Sequence, residues 1–212
     1  MEEKSKKINA FTLPEALLVL IIIGVIAAIT IPQLLVDDPA KRGWTTLAEK
    51  TVGSLIQAST EILIYDAGLD DFTSLTYNGK RFSVEDADIT SDMSGLYGKY
   101  IANSTQDVDL NDEYFSKPLA TYDKNALDKT LKELYSDFFI GNDGVLIGFR
   151  FYGGCDKTEE NVVLPAKRNR YSVNNICGSV YLDVNGYKKP NKLGSDQYIV
   201  PIAKRGIVYE DN

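Results

Sequence analysis

The chain has 212 residues, 44% of them hydrophobic, and a formal charge of −7, which allows a real core and one domain with an appendage. An acidic chain of this kind is a poor match for phosphate backbones, so no nucleic-acid partner is expected. Histidine is absent, which removes the commonest general base, the commonest transition-metal ligand and any Ser-His or Cys-His nucleophile pair, and no enzyme activity is expected.

From Ala16 to Val36 the chain carries 21 residues without a charge, enough to cross a bilayer. Lys4, Lys6 and Lys7 precede this run and Asp37 and Asp38 follow it. The positive-inside rule therefore puts the N-terminus in the cytoplasm and the rest of the chain outside. Hydropathy alone leaves an ordinary secretory signal, cut near Ala27-Ala28, as an equal reading. Glu15, near the boundary of the run, separates the two. A carboxylate facing lipid costs roughly 2.5 kcal/mol or more when central, and such a group marks function. Pro32 lies deep in the helical run and removes a hydrogen bond there, which predicts a kink.

Asp38 and Pro39 read as an N-cap and first helical residue. Trp44, Leu47, Ala48, Thr51, Val52, Leu55, Ile56, Ser59, Ile62 and Leu63 then follow helical spacing, the pattern of a helix with one buried face. Beyond Asp66, turn signals separate β-prone runs. Asn78-Gly79 divides Thr73–Tyr77 from Lys80–Val84, Asn142-Asp143-Gly144 divides Asp137–Ile140 from Val145–Tyr152, and Asn185-Gly186 follows Ser179–Val184. These predict hairpins of an antiparallel sheet. Leu127, Leu131, Leu134, Tyr135 and Phe138 recur at helical spacing after a cap region at Asp123–Asn125, predicting one short helix. The segment 85–119 shows no clear period and reads as a loop. The pairs Asp70-Asp71 and Glu159-Glu160 read as solvated surface.

The string Lys6-Lys7-Ile8-Asn9-Ala10-Phe11-Thr12-Leu13-Pro14-Glu15, followed by the apolar run, resembles the class III signal of type IV prepilins and type II secretion pseudopilins. The resemblance implies cleavage by a prepilin peptidase between Ala10 and Phe11, N-methylation of Phe11, and a charge pair between the Phe11 ammonium of one subunit and Glu15 of its neighbour. Ala10 stands where the family usually has Gly, and Pro14 where Ile or Val is frequent. Pro14 falls in the first helical turn, where its missing N–H has no acceptor in any case.

That resemblance implies an α+β, type IV pilin-like fold, with a long kinked N-terminal helix packed on a C-terminal antiparallel sheet. The expected organisation is a cytoplasmic leader at 1–10, a transmembrane and polymerisation helix at 11–36, its amphipathic second half at 37–66, and an extracytoplasmic domain at 67–212. The implied function is a structural subunit of a type IV pilus or a type II secretion pseudopilus, held as a single-pass inner-membrane precursor. Its implied partners are copies of itself or other pilins, the prepilin peptidase and a membrane assembly platform. The alternative is a monomeric bitopic membrane protein that presents a binding domain and needs neither the cut before Phe11 nor Glu15.

The two cysteines, Cys155 and Cys177, fit neither a zinc knuckle nor a C-x-x-C pair, and a single disulfide is the simpler reading, with two buried thiols as the other. The loop between them holds Lys167, Arg168 and Arg170, read as solvated surface, and it resembles the disulfide-bounded loop of many pilins. The runs 181–186 and 189–196 are similar to the C-terminal signature of bacterial pilin-like proteins. Asp183, Asn185 and Asp196 there are candidate calcium ligands, because major pseudopilins resemble this in holding calcium with a C-terminal loop. The competing reading is a plain turn in which Asp and Asn bond their own backbone, and no other cofactor is expected.

Overall fold

A helix that presents Ala48, Thr51, Val52, Leu55, Ser59 and Ile62 on one side has a stripe to bury, and all six are buried. The computed structural model describes residues 13–36, 39–68, 71–74, 76–77, 80–81, 88–101, 108–110, 113–121, 126–135, 137–141, 143–152, 154–165, 167 and 170–209. The chain divides into two compact units, residues 1–42 and 43–212. Helix α1 is Leu13–Val36 and helix α2 is Pro39–Tyr65.

In the larger unit, α2 and α3 (Asp88–Tyr100) share the core with the sheet. Met93, Leu96 and Tyr97 of α3 are buried, and the Tyr97 ring lies 5.0 Å from that of Phe149. Ser59 ties the two helices: its hydroxyl bonds the Leu55 carbonyl at 2.8 Å and the Tyr97 hydroxyl at 2.7 Å.

The small hairpin β1 (Thr76–Tyr77) and β2 (Lys80–Arg81) is antiparallel, as its Asn-Gly signal predicts. Among the described residues the main sheet has nine strands. In chain order they are β3 (Pro118–Thr121), β4 (Ala126–Thr130), β5 (Asp137–Ile140), β6 (Leu146–Phe151), β7 (Lys157–Val162), β8 (Tyr171–Asp183), β9 (Lys192–Leu193), β10 (Gln197–Ala203) and β11 (Gly206–Ile207). Their order is β4-β3-β9-β10-β8-β6-β5, with β7 also on β8 and β11 also on β10. The expected β5–β6 hairpin is present, with Ile140 opposite Leu146.

Strand β8 crosses its neighbours so closely that Gly178 has no room for a side chain, because a Cβ there would collide with the Arg150 carbonyl on β6. A disulfide joins Cys155, just before β7, to Cys177 in the middle of β8.

Several expectations are corrected. In place of one long kinked helix on an antiparallel sheet, the described residues form the helices α1 and α2 and a large mixed sheet. It is mixed because β9 runs parallel to both β3 and β10, carried there by the connection 184–191, so Asn185-Gly186 opens a longer excursion instead of a tight hairpin. Pro32, the expected kink position, lies within helix α1. Among the described residues no helix is long and apolar enough to cross a membrane, which overturns the single-pass inner-membrane placement.

The helix expected around Leu127–Phe138 is a single turn, α4 (Leu131–Leu134), between strands β4 and β5. Its start is set by Thr130, whose backbone N–H and hydroxyl both donate to the Glu133 carboxylate, at 2.6 and 2.8 Å. Part of the segment read as loop is α3, and Glu159 lies in β7, where alternation turns it inward while Glu160 faces out.

The bridge closes a loop with a sequence separation of 22, which the chain-entropy treatment values at about 3 kcal/mol. Replacing both Cys155 and Cys177 by alanine is expected to lower stability by roughly that amount, read as a reduced midpoint in a denaturant titration. An unchanged midpoint would show that the bridge adds nothing.

Candidate functional site

The predicted site residues fall into two groups. The first belongs to the N-terminal unit. Ala10 and Phe11 lie outside the described residues. Glu15 sits in the first turn of α1, where the helix dipole favours a carboxylate. Behind it, seven successive residues, Leu17–Ile23, are each exposed, and Leu13 and Leu20 are 80% and 69% exposed. Seven consecutive helical positions cover the whole circumference, so α1 is apolar all round and not amphipathic. Apolar surface of this extent calls for a covering partner.

The second group lies where β8 ends and β10 begins. Asp183 is fully buried, and so is Asp196. One oxygen of Asp183 accepts from the Tyr114 hydroxyl at 2.5 Å, the Gln197 amide nitrogen at 2.8 Å and, more weakly, the Tyr181 hydroxyl at 3.4 Å. Its other oxygen accepts the backbone N–H of Asn185 at 3.2 Å. Asp196 accepts the backbone N–H groups of Asn191 and Lys192, both at 2.8 Å. The Asn185 side chain donates to the Lys189 carbonyl at 3.2 Å.

Asp183 and Asp196 each bond nearby backbone N–H groups, Asp183 that of Asn185 and Asp196 those of Asn191 and Lys192. Each Asp oxygen accepts at least one N–H or O–H, as Asp side chains do in turns. Among the described residues no group of three or more His, Cys, Asp or Glu is placed to hold a metal.

Tyr114, Tyr181 and Gln197 are members of this cluster that sequence reasoning missed. Tyr114 comes from the short 3-10 turn Glu113–Ser116, far from Asp183 in sequence, and no local pattern links them. Burial sets the electrostatics. It pushes the Asp183 carboxyl up to about 7, against the lowering effect of its Tyr114 and Gln197 hydrogen bonds, and it raises Asp196 and the Tyr114 and Tyr181 phenols.

A second buried polar network was also missed. Glu159 accepts from the Tyr152 hydroxyl at 2.6 Å, the Ser179 hydroxyl at 3.2 Å and the Asn161 backbone N–H at 3.2 Å. Tyr135 joins through Ser179 at 3.3 Å. The cysteines are bridged. Of the basic trio, Lys167 lies 5.5 Å from the centre of the Tyr171 ring, Arg170 donates to Asn161 at 3.3 Å, and Arg168 lies outside the described residues. Asp71 accepts the Thr73 backbone N–H at 2.9 Å, and Asp70 lies outside the described residues. No protein-family model, characterised protein or solved structure matches the chain.

A carboxyl raised from 3.8 to about 7 holds a proton in the folded state that the unfolded chain has released. Stability from Asp183 is therefore greatest at low pH, falls as pH rises between those two values, and is level above them. The melting temperature is expected to be lower at about pH 8 than at about pH 5, with a smaller drop in Asp183→Asn. Equal drops in both proteins would show that Asp183 does not govern this dependence.

Proposed function

We propose that the chain is a structural subunit of a filament of the type IV pilus or type II secretion pseudopilus class, cut before Phe11 by a prepilin peptidase and assembled through its N-terminal helix. The observation that carries this reading is α1, whose apolar side chains are exposed from Leu13 to Ile26 with a carboxylate in the first turn. A helix of this kind is completed by other helices of the same kind, and packing copies side by side supplies them. Its partners are copies of itself or related pilins, the peptidase and an assembly platform. The reading draws on the N-terminal string and on α1, and takes nothing from the sheet.

In such a bundle, Glu15 of one subunit faces the Phe11 ammonium of another. A buried ion pair adds little net stability, but removing one partner leaves the other unpaired at a cost of about 3–5 kcal/mol. The pair therefore fixes register between subunits.

The reading is tested by co-expressing the chain with a prepilin peptidase and reading the new N-terminus by mass spectrometry. A start at Phe11 carrying a methyl group is expected. An intact Met1, or a start near Ala28, would sink the proposal. Glu15→Leu is expected to reduce filament yield at least tenfold while the melting temperature of the 43–212 unit stays unchanged. Filaments of normal yield from that variant would refute the charge pair.

A further inference from the structure

The larger unit carries a pocket that the filament reading does not use. It has a volume of about 410 Å³ and lies between β4 with α4 on one side and the end of β6 with β7 on the other. Arg150 and Tyr152, two positions apart in extended chain, both line it, as residues of that spacing share a face. The Tyr152 hydroxyl donates to Glu159 at 2.6 Å, which fixes the ring, and the Arg150 guanidinium lies over that ring, 4.7 Å from its centre. Stacking of this kind holds a guanidinium in one plane and leaves the N–H groups along its edge for an acceptor. Among the described residues Arg150 has neither a hydrogen-bond partner nor an ion-pair partner, and its side chain is only half-buried, so a ligand can reach it.

Lys129 adds a second cation to the pocket, and Asp128 and Glu160 bring two carboxylates, all three exposed. Among the described residues none of these four charges forms an ion pair, with one another or with any other residue. Charges of both signs that line one pocket without pairing among themselves are free to meet the two poles of a zwitterion. A phosphate would gain from the cations but meet repulsion from the carboxylates, which selects against it. Leu127 and Leu134, both half-buried, give the pocket an apolar wall. Glu159 is a support and not a contact, because it is 6% exposed and its oxygens already accept from Tyr152, Ser179 and Asn161. The volume falls within the roughly 300–1,000 Å³ of small-molecule sites.

We infer that this pocket binds a free α-amino acid with an apolar side chain. The ligand carboxylate takes the N–H edge of Arg150 with Lys129 beside it, the ammonium lies by Glu160 and Asp128, and the side chain rests on Leu127 and Leu134.

The test is a titration of the full chain with L-leucine, followed by saturation-transfer NMR. Saturable binding is expected with a Kd in roughly the millimolar range, given the size of the ligand. Leucinamide, which lacks the carboxylate, and N-acetyl-leucine, which lacks the ammonium, are each expected to bind about tenfold more weakly, and equimolar inorganic phosphate is expected not to compete. Arg150→Gln is expected to weaken leucine binding about tenfold, and Arg150→Lys, which keeps the charge and loses the fork, to restore only part of it. Glu160→Gln changes an exposed side chain and leaves the melting temperature where it was, so its expected severalfold loss of affinity reads the ammonium contact apart from folding. Absence of saturation, leucinamide or a doubly blocked leucine binding as tightly as leucine, phosphate competing as well as leucine, or unchanged affinity in both Arg150→Gln and Glu160→Gln would each overturn the assignment.

Discussion

Strand β8 carries hydrogen bonds to three neighbours along its 13 residues. Its first half pairs with β7, and its second half is shared between β6 and β10. A strand flanked on both edges and covered on its faces must be filled with residues that tolerate complete burial, and from Ile176 to Asp183 every residue is buried. Gly178 meets the same demand by having no side chain where β6 comes closest. The disulfide attaches at the neighbouring residue, Cys177, so the covalent staple reaches the centre of the sheet and not its rim.

That burial explains why the polar residues of β8 come with partners drawn from elsewhere. Ser179, fully buried, stands in the network of Glu159, Tyr152 and Tyr135, and Asp183 stands in that of Tyr114, Tyr181 and Gln197. Each network joins β8 to a segment that backbone pairing alone does not secure. Asp183 draws in the 3-10 turn that holds Tyr114, and Glu159 fixes β7 where its register on β8 shifts. An apolar residue in place of Asp183 would save the cost of desolvating a carboxyl, but it would leave two phenols and an amide without their shared acceptor.

The parts of this arrangement that were legible in the sequence are those set by local chemistry. Asn78-Gly79 and Asn142–Gly144 announce their hairpins because the turn itself requires those residues, and the spacing from Ala48 to Ile62 announces the buried face of α2. Asp183 and Asp196 were legible as turn residues for the same reason. Helix α3 was hidden by Ser, Asp and Gly, which depress helix propensity, although Met93, Leu96, Tyr97 and Tyr100 keep helical spacing. The region around Leu127–Phe138 misled in the opposite sense, since apolar residues at helical spacing are divided between β4, one helical turn and β5. Glu159 was read with Glu160 as surface, but in a strand adjacent residues face opposite ways, and that reading requires β7 to be recognised first. Tyr114 and Gln197 gave no signal, because their roles depend on contacts between segments far apart in the chain.

The two units solve the problem of apolar surface in different ways, and this bears on function. Among the described residues of 43–212, most large apolar side chains are buried in one core and few are exposed. On α1 the described large apolar side chains stay exposed around the whole helix. From Leu17 to Ile23 there is no polar residue that could form a polar face. The only charge in its described part is Glu15, at the end where unsatisfied N–H groups and a new amino terminus would lie after cleavage before Phe11. In the proposed filament, apolar surface on every side with one carboxylate at the tip would give each copy a non-specific adhesive and a single specific contact. The first would drive association, and the second would set how far one copy slides along the next.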